Sequence, residues 1–252
     1  MNNINIAVAG KGGTGKTTVS ALMIRILIES QKGTVLALDA DPNSNLNEML
    51  GVKVTKTVGE LVENFKKDGA ALPKGMYKDQ MVEMNLHQSV IEGKGFDLLV
   101  MGRGEGPGCY CAANNLFKRY IDMLQKNYSY VVMDNEAGME HISRKTTTNV
   151  NFLFLISDPS IRGILTAARL RDLAKELKIN AEKIFLIVNR INGNLDLKLK
   201  EYISEQKFEI LGLINSDEAI SDIELSGKSV FDLPDNSISL NQVKEIIKKL
   251  GI

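Results

Sequence analysis

Near the amino terminus, Gly10-Lys11-Gly12-Gly13-Thr14-Gly15-Lys16-Thr17-Thr18 follows the apolar run Ile4–Ala9 and opens a helical pattern over Lys16–Glu29. A strand, a glycine-rich turn with Gly-Lys-Thr at its end, and a helix in that order describe a phosphate-binding loop. The glycines let backbone N–H groups close on phosphate oxygens, and the helix adds the positive end of its dipole. All of Gly10–Thr18 is therefore read as nucleotide-binding, with Lys16 reaching the β and γ phosphates and the Thr17 hydroxyl on Mg²⁺.

This loop demands a strand–helix alternation around it, and the rest of the chain supplies one. Further strands are expected at Thr34–Asp39, Asp97–Met101, Tyr130–Asp134, Phe152–Ser157, Lys183–Asn189 and Glu209–Ile214. Helices are expected at Ala113–Asn127, Ile161–Leu177, Leu195–Glu205 and Ser239–Leu250. Continuous apolar runs such as Val131-Val132-Met133 suit strands buried on both faces, hence a parallel sheet. The expected fold is α/β, a doubly wound, mainly parallel sheet flanked by helices. Residues 1–252 read as one domain with a helical insertion at about 56–95, carrying helices near Val58–Lys66 and Gln80–Ile91.

No run approaches the ~20 apolar residues of a membrane span. The chain enters its first strand without a signal-like segment, so a cytoplasmic location is expected. The 31 basic residues balance the 31 acidic ones, which gives no overall attraction to nucleic acid or anionic membrane. The amphipathic tail (Leu240, Val243, Ile246, Ile247 and Leu250) is expected to dock on its own domain.

Carboxylates end two of the expected strands. Asp39-Ala40-Asp41-Pro42 closes the second, placing two acids at i and i+2 toward one site; Asn43, Ser44 and Asn45 follow as a switch segment and helix cap. Asp134 ends Val131-Val132-Met133, where a carboxylate would hold Mg²⁺ through water. Asn189 ends another strand. A guanine reader would carry Asn-Lys-x-Asp there, whereas Asn189-Arg190-Ile191-Asn192 stands instead, which favours ATP over GTP.

The only cysteines, Cys109 and Cys111, share one loop, Met101-Gly102-Arg103-Gly104-Glu105-Gly106-Pro107-Gly108-Cys109-Tyr110-Cys111. At i and i+2 on an extended segment, two thiolates face one side and suit a soft or borderline metal. They do not complete a four-coordinate site, but a two-fold dimer would supply four sulfurs. His87 and His141 are isolated and read as surface or satisfied histidines.

Lys-Gly-Gly-x-Gly-Lys-Thr-Thr, with Lys11 inside the loop, resembles the deviant Walker A family, which includes MinD, ParA, the nitrogenase iron protein and CooC-type ATPases. The resemblance implies an ATP-driven homodimer in which Lys11 reaches the partner's nucleotide. It also implies that Asp41 positions the attacking water, that Asp39 lies near the metal and that Asn189 contacts adenine. Asn135-Glu136-Ala137-Gly138 matches the second switch, where the Gly138 N–H senses the γ-phosphate. Glu136 departs from the family's usual Pro or Gly, as a second acid or a surface residue, and Ile214-Asn215 replaces the usual Pro. Gly108-Cys109-Tyr110-Cys111 is similar to CooC-type ATPases that mature nickel enzymes. Gly106–Cys111, Asp39-Ala40-Asp41 and Asn45-Leu46-Asn47-Glu48 look closest to the AcsF branch. That resemblance implies Ni²⁺ (or Zn²⁺) bound by the cysteines of both subunits, with acetyl-CoA synthase as client and carbon monoxide dehydrogenase next. The contrasting classes are a MinD- or ParA-like positioning switch and an iron–sulfur electron-transfer or scaffold ATPase.

Overall fold

The computed structural model describes residues 3–41, 43, 45–67, 77–102, 119, 121–136 and 149–252. Its strands are β1 (Ile4–Gly10), β2 (Val35–Asp39), β3 (Ile91–Glu92), β4 (Phe96–Val100), β5 (Tyr130–Asp134), β6 (Asn149–Ser157), β7 (Asn180–Ile191) and β8 (Ile210–Asn215). They form a single sheet in the order β3-β4-β2-β5-β1-β6-β7-β8. Every pairing is parallel except β3 with β4. The doubly wound parallel sheet expected from the apolar runs is the fold observed.

The helices are α1 (Lys16–Ser30), α2 (Leu46–Met49), α3 (Val58–Lys67), α4 (Lys78–Ser89), α5 (Ile161–Glu176), α6 (Leu197–Glu205), α7 (Glu218–Ser226) and α8 (Ile238–Lys249), with a 3-10 turn at Val230–Asp232. Residues 119 and 121–125 are also helical; the rest of the helix expected over Ala113–Asn127 lies outside the described residues, apart from its last two residues, which form a turn.

Strand side chains alternate between two faces, and both faces are apolar. Ala7, Leu38, Val131, Met133, Leu155 and Leu186 meet α3, α4, α5 and α6 on one side. Ile6, Val8, Ala37, Val132, Phe154 and Ile187 meet α1 and α8 on the other. This two-sided burial is why the strands read as unbroken apolar runs. Helix α1 is wrapped almost completely, with Val19 to Leu27 all buried. Burying its leucine, methionine and isoleucine side chains contributes roughly 1.5–3 kcal/mol each. Arg25, also buried, donates to the Val230 and Leu233 carbonyls and pairs with Glu29 and Asp235. The helix behind the phosphate loop is thus fixed to the 3-10 turn.

Leu240, Val243, Ile246 and Ile247 of α8 are buried, and that helix packs on β8 and α1. The apolar face of the tail is taken up by the chain's own sheet. Among the described residues, no helix is long and apolar enough to cross a membrane.

The boundaries depart from expectation where elements are short or weakly buried. The helix expected to run to Ile91 stops at Ser89, because Val90 and Ile91 turn extended and Ile91–Glu92 pair antiparallel with Leu98 and Asp97. Helix α7, which follows β8, is not anticipated by periodicity, since Ile223 is its one fully buried side chain.

A single carboxylate anchors that region. Asp217 accepts from Ala219 N, from Ser237 Oγ and from both Ser239 N and Oγ, so it caps α7 and the start of α8 together. Burial pushes its carboxyl up, but the bonds from Ser237, Ser239 and Ala219 outweigh burial and hold it below the ordinary carboxylate range. Such a group contributes its full stability above the unfolded-chain pKa near 4, and loses it as the pH falls through the depressed native value. Asp217→Ala should therefore cost about 1–2 kcal/mol at neutral pH, a drop of several degrees in Tm. The deficit should shrink toward pH 3 when thermal melts of the two proteins are compared.

Candidate functional site

The carboxyl ends of β1, β2, β5 and β7 converge on one edge of the sheet, where the phosphate loop lies. Gly10 closes β1 with no room for a side chain: a Cβ there would sit 2.3 Å from the Ile156 carbonyl oxygen on β6. Gly15 has φ +85°, and a Cβ would sit 2.4 Å from Asn189 Nδ2. These two glycines are demanded by close approach and, at Gly15, also by left-handed backbone. Between them, Lys11, Gly12 and Gly13 are exposed and Thr14 is buried.

The loop is braced from inside. The Lys11 carbonyl accepts from Thr14 Oγ1 at 2.8 Å and from Lys16 Nζ at 3.4 Å. Asn189 Nδ2 donates to the Thr14 carbonyl at 2.8 Å. Lys16 is nearly buried, while Lys11 projects outward.

Asp39 and Asp134 are register partners at the ends of β2 and β5, and both are buried. Asp39 accepts from Asp41 N at 3.0 Å and from Leu46 N at 3.1 Å. Burial, then the charge of Asp134, pushes its carboxyl up to about 7. Asp134 is likewise raised by burial, to about 6, against the hydroxyls of Thr17 and Ser20 and the charge of Lys16. Two desolvated acids beside a threonine hydroxyl form an all-oxygen donor set with excess negative charge, which suits a hard dication such as Mg²⁺. Asp134 and Thr17 would hold that ion and Asp39 would lie behind it. When bound, the ion screens the phosphate charge and the carboxylates at once.

Asp41 is half-buried and accepts from Asn43 N at 2.8 Å, so the turn after β2 is set by its own side chain. Asn45 occupies the N-cap of α2 without a side-chain cap bond. The cap expected from Asn45 is supplied by Asp39, because the Leu46 N–H points into the buried carboxylate. Ser44, Cys109, Cys111, Gly138 and His141 lie outside the described residues; His87 is exposed on α4.

Three features were not anticipated from sequence. Asn135 is buried, with Nδ2 donating to the Val8 and Met133 carbonyls. Arg190 has φ +59°, where the β7–β8 register slips beside Asn189. A cavity of about 350 Å³ opens from Gly15 and Thr18, bounded by Asn189, Arg190, Asn215 and Glu224. A bulge and a left-handed Arg carry no sequence signature; Glu224 sits on the helix that periodicity did not show.

A loop for phosphates, two metal-ready carboxylates and an adjoining cavity of nucleoside size form a nucleotide site. The sequence matches the CobQ/CobB/MinD/ParA nucleotide binding domain over residues 6–230. The chain belongs to that family. It is similar to an uncharacterised ATP-binding protein of Methanocaldococcus jannaschii, 40% identical over 97% of each chain. It is also similar to the carbon monoxide dehydrogenase accessory protein CooC of Rhodospirillum rubrum, 33% identical over 91% of this chain and 90% of that one. The fold matches the septum site-determining protein MinD of Pyrococcus horikoshii complexed with Mg-ADP, with TM-score 0.73 and 18% identity over 99% and 96% of the two chains. The chain is thus a MinD/ParA-type P-loop ATPase.

The raised carboxylates have a measurable consequence. An acid whose native pKa exceeds its unfolded value stabilises the fold only while protonated, so stability declines as pH rises from about 4 to about 7. At pH 8, in the absence of metal and nucleotide, Asp134→Asn should melt higher than the parent by at least about 1 kcal/mol. The same variant should lose about 100-fold or more in Mg²⁺-dependent ATP hydrolysis. Melting curves and steady-state phosphate release test both; a lower Tm at pH 8 would contradict the assignment of strain to this pair.

Proposed function

We propose that this ATPase is a metallochaperone that carries Ni²⁺ between two copies of the chain and delivers it to a nickel enzyme. The observation that carries this reading is the similarity to CooC over nine-tenths of both chains, combined with the confinement of both cysteines to one glycine-rich loop. Acetyl-CoA synthase is the preferred client on the resemblance to the AcsF branch, and carbon monoxide dehydrogenase the next. Zn²⁺ satisfies four thiolates equally well.

In this reading, Lys16 neutralises charge on the phosphates within one chain, and Lys11, exposed on the loop, does so across a two-fold interface. Asp41 orients the attacking water, and Gly138 follows the γ-phosphate. Asn189, which braces the loop through Thr14, lies at the edge of the cavity that would take the adenine. Cys109 and Cys111 of each copy together supply four sulfurs to the cargo.

Hydrolysis has a short route to that cargo. The Met101 N–H donates to the Asp39 carbonyl at 2.8 Å, so the segment leading to the cysteines leaves the sheet directly beside the Asp39–Asp41 turn. Movement of that turn on loss of the γ-phosphate would shift the two cysteine loops against each other. A membrane-positioning role draws no support from the tail, whose Leu240, Val243, Ile246 and Ile247 are buried in the fold.

Metal titration with an unhydrolysable ATP analogue tests the proposal. Wild type should take up about one Ni²⁺ per two chains, and Cys109→Ser/Cys111→Ser should take up none while still binding ATP. Lys11→Ala should bind nucleotide yet remain monomeric, and Asp41→Ala should dimerise but hydrolyse ATP about 100-fold more slowly. Equal nickel stoichiometry in wild type and the double serine variant refutes the metal site.

A further inference from the structure

The helical insertion flanks the root of the cysteine loop. The Gly59 N–H donates to the Met101 carbonyl at 2.8 Å, and a Cβ at Gly102 would sit 2.6 Å from Thr57 Cβ. The residues that start α3 therefore bear on the two residues that lead toward the cysteines, and α4 packs on α3. Inward, α4 buries Val82, Leu86 and Ser89. Outward, it presents Gln80, Glu83, Met84, His87 and Gln88 to solvent.

Three of these outward residues make up a donor set. Glu83 and His87 stand at i and i+4, and Met84 is three residues before His87, so His87 neighbours both on the helix surface. Helical side chains lean toward the amino end, which carries the His87 ring back over the turn that holds Glu83 and Met84. A carboxylate, an imidazole and a thioether are thus offered together. Donors at i and i+4 on one helix face are a recurring way to chelate a dication. None of the three is spent on the fold. The side chains of Glu83 and His87 make no hydrogen bond or ion pair with another described residue, and Met84 is 43% exposed while Val82 and Leu86 beside it are buried. The helix itself favours a cation here. His87 is in the last turn of α4, where the carbonyl end of the dipole attracts positive charge.

We propose that Glu83, Met84 and His87 bind a borderline first-row dication, of the class of Ni²⁺ and Zn²⁺, at an open site on the outer face of the insertion. Imidazole suits such ions, the carboxylate supplies charge and the thioether adds a soft donor. Three protein donors leave a coordination position to water, so the ion is held loosely and exchanges. Among the described residues, no three His, Cys, Asp or Glu side chains gather to hold a metal; the third donor here is a methionine sulfur. The site stands on its own donors and does not depend on nickel binding by the cysteines.

Titration of the untagged, full-length Cys109→Ser/Cys111→Ser chain with Ni²⁺ tests the proposal, because the thiolates are then absent and the two sites succeed or fail separately. The sequence holds two histidines, His87 and His141, so imidazole signals in an NMR spectrum report the ligand directly. Ni²⁺ should broaden the ring signal that His87→Gln removes, with a saturable midpoint. Glu83→Gln should raise that midpoint about tenfold, and Met84→Leu by a smaller factor. These side chains face solvent, so folding is not at stake, and unchanged melting curves without metal confirm this. A His87 signal that stays sharp, broadening confined to the other ring, or a midpoint unmoved by both Glu83→Gln and Met84→Leu each overturns the proposal.

Discussion

Two carboxylates set side by side where water is excluded impose the central constraint on this molecule. Asp39 and Asp134 end adjacent strands with essentially no solvent contact, and their mutual repulsion is relieved only by protons or by a cation. The surrounding groups are arranged as answers to that problem. Thr17 and Ser20 donate to Asp134, two backbone N–H groups close on Asp39, and Lys16 lies close enough to favour the charged form of Asp134. The fold keeps an unfavourable charge arrangement at the sheet edge that a bound metal–nucleotide ligand would complete, a stability cost typical of active sites.

The loop that meets this ligand is preorganised by contacts from different parts of the sheet. Its own Lys11 carbonyl gathers Thr14 and Lys16, the β7 residue Asn189 fixes Thr14, and the β6 backbone crowds Gly10. None of these contacts spends a backbone N–H of Gly12 or Gly13 at the tip. The scaffold behind the loop is equally fixed: α1 is buried nearly all round and Arg25 ties it to the segment after α7. Elements from the first tenth and the last tenth of the chain are therefore tied together behind the phosphate loop.

Much of this was legible in the sequence because it depends on short-range grammar. Gly-x-x-x-x-Gly-Lys-Thr placed the loop, and unbroken apolar runs placed seven of the strands. Asp39 and Asp134 were identifiable as strand-end polar residues after buried segments; Asn189, expected to end its strand, lies inside β7, which runs on to Ile191. The rest depends on tertiary context. The two-residue strand Ile91–Glu92 exists only because β4 offers an edge. Helix α7 is specified by its caps, Asp217 and the left-handed Gly227, and not by an apolar stripe; those caps were readable and periodicity was not. The cap of α2 comes from Asp39 instead of the adjacent Asn45, a choice made by a buried carboxylate in need of donors.

The hydrogen bond from Met101 N to the Asp39 carbonyl joins the turn near the phosphates to the start of the cysteine loop through main-chain atoms alone. A link of that kind has no side chain to lose. Substitution can redraw the loop beyond Gly102, changing its length, its ligands or the surface it offers a partner, without severing its mechanical tie to the nucleotide. Only proline at 101, which lacks the N–H, would cut it. In the metallochaperone proposed above, such a joint would separate the nucleotide machinery from the loop that holds the cargo, so that one could change while the other is kept.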